Sequence, residues 1–175
     1  MAEALNQNQI QAVVHLAFIL DPGHNRDAIQ RVNLEGTANV LEACAQTNVK
    51  HLLYLSSTTV YGAHADNPPF LTEETHLRPV KGFQYGEDKA QSEALLNEFT
   101  LQHLEPSITI LRAPPVMGIN ADNFVSRALS KPFLVGLNGY DPLMQFLHED
   151  DLTEIMRVCL ARHTYPGVYN VTGDG

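Results

Sequence analysis

The chain has 175 residues and a mass of 19.4 kDa, room for one ordinary domain and too little for two. Apolar residues make up 44% and charged residues 18%, which excludes a disordered, collagen-like or coiled-coil chain. Eleven Lys and Arg against 20 Asp and Glu give a net charge of −9, the wrong sign for a chain whose main partner is nucleic acid.

The longest apolar run, residues 12–20, contains His15 and follows no basic segment. It lacks the flanks of a secretory signal and falls short of the about 20 residues of a membrane span, so the expected location is the cytoplasm. Cys44 and Cys159 show no C-x-x-C spacing and read as small buried apolar residues of a reduced, intracellular protein.

Residues 12–18 form a continuous apolar stretch ending at Asp21-Pro22-Gly23, the pattern of a strand buried on both faces. Over 25–47, Ile29, Val32, Gly36, Val40, Ala43 and Cys44 recur at helical spacing, with Asn48 as the stop. A second buried strand is expected over 51–56, then a loop over about 63–82 whose Pro68, Pro69 and Pro79 exclude a helix interior. An amphipathic helix follows over 85–104, with Ala94, Leu95, Phe99 and Leu101 among its apolar positions, then a strand over 107–112. Helices over 123–130 and 149–162 and a strand over 168–171 complete the chain. Strands separated by helices of this length require crossover connections, so the fold class is α/β, a doubly wound parallel sheet. The Gly-x-Gly-x-x-Gly turn that such a sheet uses for a dinucleotide is absent from the sequence.

Two features carry chemistry. Tyr85 and Lys89 stand four apart, on one face of the long helix. A phenol ionises near pH 10, so it serves as a base at neutral pH only with a cation beside it. Ser56-Ser57-Thr58-Thr59 lies at the carboxyl end of a buried strand, where open α/β sheets place ligand-contacting groups. The cluster His148-Glu149-Asp150-Asp151 lacks metal-ligand spacing, and acidic residues opening a helix are accounted for by its dipole. Arg127 and Lys131 read as a solvated helix face or as anion-binding groups.

In order along the chain stand VVHLA (13–17), NLEGTANVLEA (33–43), LSSTTVYG (55–62), Tyr85-x-x-x-Lys89, LRAPPVMG (111–118), FLHEDDL (146–152) and GVYNVTGDG (167–175). Together they resemble the extended short-chain dehydrogenase/reductase family, the NAD-dependent epimerase/dehydratases. The resemblance implies a partial Rossmann-like dinucleotide-binding domain over 1–112. A partial substrate-binding region would cover 113–175, with a strand returning to the main sheet. VVHLA is then the family's fourth strand, so the chain is expected to be an internal fragment whose sheet misses its first strands.

The resemblance assigns Tyr85 as acid/base, Lys89 as its electrostatic support and cofactor anchor, and Ser57 as the hydroxyl that polarises the substrate. It puts Ala17, Asn33 and Pro114 beside the cofactor, NAD or NADP, together with Ser57, Tyr85 and Lys89. Asn123 and Arg127 join Ser57 as substrate-binding candidates. The implied substrate is a small molecule, a secondary alcohol or ketone of a (nucleotide-)sugar, although Pro115 stands where sugar-nucleotide epimerases carry an asparagine. A homodimer through the helices over 25–47 and 85–104 is also implied. The alternative is a non-catalytic fragment or binding domain that keeps the fold without cofactor turnover.

Overall fold

The computed structural model describes residues 1–20, 25–133, 136, 139, 143–162 and 165–173. The elements are α1 (Ala2–Gln7), β1 (Ala12–His15), α2 (Arg26–Ala45), β2 (His51–Ser57), α3 (Gln84–Gln102), β3 (Ser107–Ala113), β4 (Val116–Met117), α4 (Phe124–Leu129), β5 (Leu147–His148), α5 (Glu149–Arg162) and β6 (Gly167–Asn170). A single 3-10 turn, Thr58–Tyr61, follows β2.

Four strands form one parallel sheet in the order β1-β2-β3-β6, the α/β class with crossover helices that the hydrophobic blocks imply. In β2 the pleat sends successive side chains to opposite faces. Leu52 and Tyr54 join Val40, Leu41, Cys44, Leu96, Ile108 and Ile110 beneath α2 and α3. Leu53 packs instead with Leu111, Leu147, Leu152 and Cys159 beneath α5. Helices therefore cover both faces, and β6 returns to pair with β3, Thr109 opposite Gly167.

Several boundaries differ from the sequence pattern for physical reasons. The first strand ends at His15 rather than running to 18, because the following backbone bonds a side chain: the Ile19 amide donates to Asn33 Oδ1 at 2.8 Å. The expected turn at Asp21-Pro22-Gly23 lies outside the described residues. β1 sits at the sheet margin, so it is not buried on both faces; Val14 is exposed. Asn25 caps α2 by accepting from the Ala28 amide, and the helix stops at Ala45, before Asn48. Its inward stripe is Asn33, Thr37, Val40, Leu41 and Cys44, while Val32 faces outward.

In α3, Leu95 and Phe99 pack against the core as expected while Leu101 is exposed, and the most buried positions are Asp88, Lys89, Ser92 and Glu93 with Leu96. The short α1 had no periodicity to announce it; it is anchored by Leu5 against the core. The pairing of β4 with β5, two residues each, is likewise below the length at which alternation is visible.

Candidate active site

β2 carries Ser57 as its last residue, and the chain then tightens into the 3-10 turn, where the Ser57 hydroxyl accepts from the Thr59 amide at 3.2 Å. The turn ends at Gly62, whose φ of +70° suits a residue without Cβ. Gly86, in the first turn of α3, lets that helix approach: an added Cβ would stand 3.1 Å from the Thr59 carbonyl oxygen. This close contact brings Tyr85 and Lys89 to the carboxyl end of β2.

Tyr85 is half-buried, and this burial holds its pKa above the usual 10, against an opposing pull from the Ser57 hydroxyl facing it. Lys89 is 4% exposed. Its ammonium donates to the Leu55 carbonyl at 2.6 Å and to the Tyr54 hydroxyl at 3.3 Å. It lies 3.8 Å from the Phe18 ring centroid, 4.6 Å from that of Tyr54 and 5.9 Å from that of Tyr85. Burial pulls the amine down to about 7, partly offset by the Glu93 charge. His15 lies beside this seat, 5.5 Å from Tyr54 between ring centroids. Its Nε2 is 3.1 Å from Thr37 Oγ1, and burial followed by the Lys89 charge keeps its pKa below 6.5.

Asn33 works as a clamp. Its Oδ1 holds the Ile19 amide, while its Nδ2 donates to Asp88 Oδ2 at 3.0 Å, joining the segment after β1 to α2 and α3. Asp88 is fully buried, and its second oxygen has no hydrogen-bond partner among the described residues, nor does the Thr59 hydroxyl.

Beneath the site lies an ionic network that sequence reading missed. Arg112, from β3, bonds both carboxylate oxygens of Glu93 through Nε at 3.1 Å and Oε2 through Nη2 at 2.6 Å. Its Nη1 donates to the Tyr61 hydroxyl at 2.7 Å and the Glu73 carbonyl at 3.0 Å. Ser56 donates to Glu93, and Tyr61 donates to Asn170 Oδ1 at 2.7 Å. The available signal was a charge closing the apolar strand SITILR and a glutamate four residues after Lys89.

The remaining candidates sit apart in role. Ala17 is exposed and Pro114 is buried at the end of β3. Asn123 spends its side chain on capping α4, accepting from the Val125 and Ser126 amides at 3.0 Å and donating to the Val116 carbonyl at 2.7 Å. Arg127 stands 3.3 Å from Asp122 at the surface. Glu149 binds the Asn120 amide at 3.2 Å, and His148 Nδ1 accepts from the Asp150 amide at 3.2 Å, so these residues hold local backbone. Among the described residues, no helix is long and apolar enough to cross a membrane.

A sequence model of the NAD-dependent epimerase/dehydratase family matches residues 1–172. An uncharacterized protein of Mycobacterium tuberculosis is 25% identical over the whole chain, which spans 47% of that protein. A UDP-glucose 4-epimerase of Yersinia enterocolitica is 33% identical over 110 residues, 61% of this chain and 32% of its own length. Among solved structures, a UDP-glucose 4-epimerase of Thermus thermophilus in complex with NAD superposes with a TM-score of 0.82 at 22% identity. That likeness covers 99% of this chain and 60% of that one, and it shows a shared fold. The chain thus spans about half the length of the curated relatives that match it throughout.

Proposed function

The chain belongs to the NAD-dependent epimerase/dehydratase family, and from that premise we propose that it carries the catalytic residues of an NAD(P)-dependent epimerase, dehydratase or reductase. The substrate class is a secondary alcohol or ketone of a sugar, carried as a nucleotide sugar. The observation that supports this reading is the meeting of Ser57, Tyr85 and Lys89 at the carboxyl end of β2, the place where open parallel sheets bind ligands.

The residues present fit the nicotinamide-ribose end of the cofactor. Two hydroxyls and an amine converge there, and the buried Thr59 hydroxyl has no partner among the described residues. The glycine-rich turn that cradles a pyrophosphate is not in the sequence. When bound, NAD(P) supplies the hydride acceptor or donor. Tyr85 takes or gives the proton at the substrate oxygen, and Ser57 donates a hydrogen bond to that same oxygen. Lys89, when charged, stabilises the phenolate and anchors the ribose. Burial alone holds the Tyr85 phenol high, so this electrostatic help is what brings it within range of neutral pH. Ala17, Asn33 and Pro114 border the cofactor in this reading. Asn123 and Arg127 are the substrate-side candidates of this reading, which takes 113–175 as a partial substrate-binding region and 1–112 as a partial dinucleotide-binding domain.

Self-association through α2 and α3 is supported by an open groove of about 480 Å³ between them, lined by Ala38, Leu41, Leu95 and Phe99 among others. Light scattering that shows a monomer at high concentration would remove that part of the reading. The second reading, a non-catalytic chain, is favoured by the ammonium of Lys89 being already satisfied by protein groups. Calorimetric titration with NAD and with NADP separates the two. Micromolar binding of either is the expected result, and silence at millimolar cofactor overturns the catalytic reading for this chain. With binding established, Tyr85→Phe lowers turnover at least about 100-fold; unchanged turnover removes Tyr85 from its role.

A further inference from the structure

The sequence singles out Lys89 for its spacing from Tyr85, but it says nothing about Phe18. In the structure the Phe18 ring lies against the amine. The ring centroid is 3.8 Å from Nζ, and the ring meets Tyr85 edge-on at 5.8 Å between centroids. Phe83 closes on Tyr85 from another direction at 6.0 Å. Below the amine are Tyr54 and the Leu55 carbonyl. A ligand hydroxyl or phosphate that bonds Lys89 therefore competes with the Phe18 ring for the amine.

The backbone on either side of Phe18 is fixed. His15 pairs with Tyr54 in the sheet register, and its ring nitrogen meets Thr37. Ile19 is held by Asn33, which is itself held by Asp88. A segment pinned three residues before and one residue after a side chain cannot swing clear as a loop, so the ring itself must turn about its own side-chain torsions.

The geometry points to Phe18 as the residue that governs access to Lys89: its ring caps the amine, and a ligand reaches the amine by turning the ring away. The inference rests on the reading of this site as the cofactor site only for the identity of the ligand; the cap itself is a statement about Phe18 and Lys89. The ligand class is a polyol or phosphate whose oxygens replace the aromatic face as partners of the amine. An aromatic face over a desolvated ammonium is worth enough to change an affinity by roughly 3- to 30-fold.

The test reads the amine directly and needs no cofactor. The chain has four lysines, Lys50, Lys81, Lys89 and Lys131. Trace acylation with acetic anhydride, quantified by peptide mass spectrometry, ranks their rates. Lys89 is expected to be the slowest in the parent and to accelerate at least threefold in Phe18→Ala, with the other three unchanged as the control for folding. An unchanged Lys89 rate in a folded Phe18→Ala chain overturns the proposal. A second measurement stands on the parent alone, should that variant not fold. With lysine labelled at 13Cε, one of the four ε-methylene signals is expected upfield of the rest through the ring currents of Phe18 and Tyr54; four coincident signals overturn the cap. Affinity for NAD or NADP then reports on the ligand. A cap that opens in Phe18→Ala with no cofactor binding in either chain refutes the catalytic reading and leaves the cap standing.

Discussion

The Glu93–Arg112 pair offers the sharpest test of how this site is supported. Glu93 is 0% and Arg112 4% exposed, and three of the bonds that Arg112 makes end on the Glu93 carboxylate. Glu93→Ala strands the guanidinium charge in the interior, an effect of about 3–5 kcal/mol, and leaves the Ser56 hydroxyl without its acceptor, about 1 kcal/mol more. The sum, about 4–6 kcal/mol, is a large part of the about 5–15 kcal/mol by which an ordinary domain is stable. At a urea dependence of about 2 kcal/mol per molar the midpoint moves down by about 2–3 M. Circular dichroism during urea unfolding measures it. The double variant Glu93→Leu with Arg112→Met removes both charges and is expected to unfold at higher urea than Glu93→Ala, because no buried charge remains unpaired. A midpoint shift below about 0.5 M for Glu93→Ala, or a double variant weaker than it, would refute the argument.

Three further outcomes are expected. Burial takes the Lys89 amine from 10.5 to about 7, so between those values the unfolded chain binds more protons than the folded one and stability rises with pH. The penalty is full below about 7 and absent above 10.5. Lys89→Met should therefore stabilise the fold by on the order of 4 kcal/mol at pH 6, a gain that fades by pH 10.5; thermal melts across that range decide, and a pH-independent gain sinks the idea. Gly62→Ala places a Cβ 2.2 Å from the Arg78 carbonyl oxygen at a φ of +70°, and a loss of at least about 2 kcal/mol, about 4–8 °C in melting temperature, is expected. Finally, Cys44 is buried with its thiol pushed up to about 11, and Cys159 is buried and shifted the same way. A disulfide reagent at pH 8 should titrate neither thiol rapidly in the native chain and both in urea; a fast native thiol would contradict the packing around it.

Alternation and helical spacing made β2, α2, α3, β3 and α5 legible, since each is long enough for its period to show. They placed Val40, Ala43, Cys44, Leu95 and Phe99 on the inward side correctly but missed the polar residues buried beside them. Val32 and Leu101 look like core residues, yet Asn33 and Thr37 in α2 and Asp88, Lys89, Ser92 and Glu93 in α3 fill the interior. Periodicity scores apolar residues alone, and here polar residues are buried because they find each other: Asn33 with Asp88, Thr37 with His15, Glu93 with Arg112. The pairing of Tyr85 with Lys89 was visible because both lie on one helix. The aromatic seat of Lys89 was not, since Phe18 follows β1 while Tyr54 lies in β2, and their meeting is a product of how the two strands pair. Asn123, a substrate-side candidate by resemblance, also caps α4 through its side-chain oxygen.

The Tyr61–Asn170 hydrogen bond joins residues 109 positions apart, and Asn170 also bonds Glu73 and Leu71 across 97 and 99 positions. β6 thus has two docking surfaces, the edge of β3 and the loop beyond the 3-10 turn, and neither is complete until β2, α3 and β3 have assembled. Contacts of such separation gain nothing until the intervening chain is already ordered. Among the described strands β6 is therefore expected to be the last to become protected in time: during refolding its amides should remain exchangeable after those of β2 are closed.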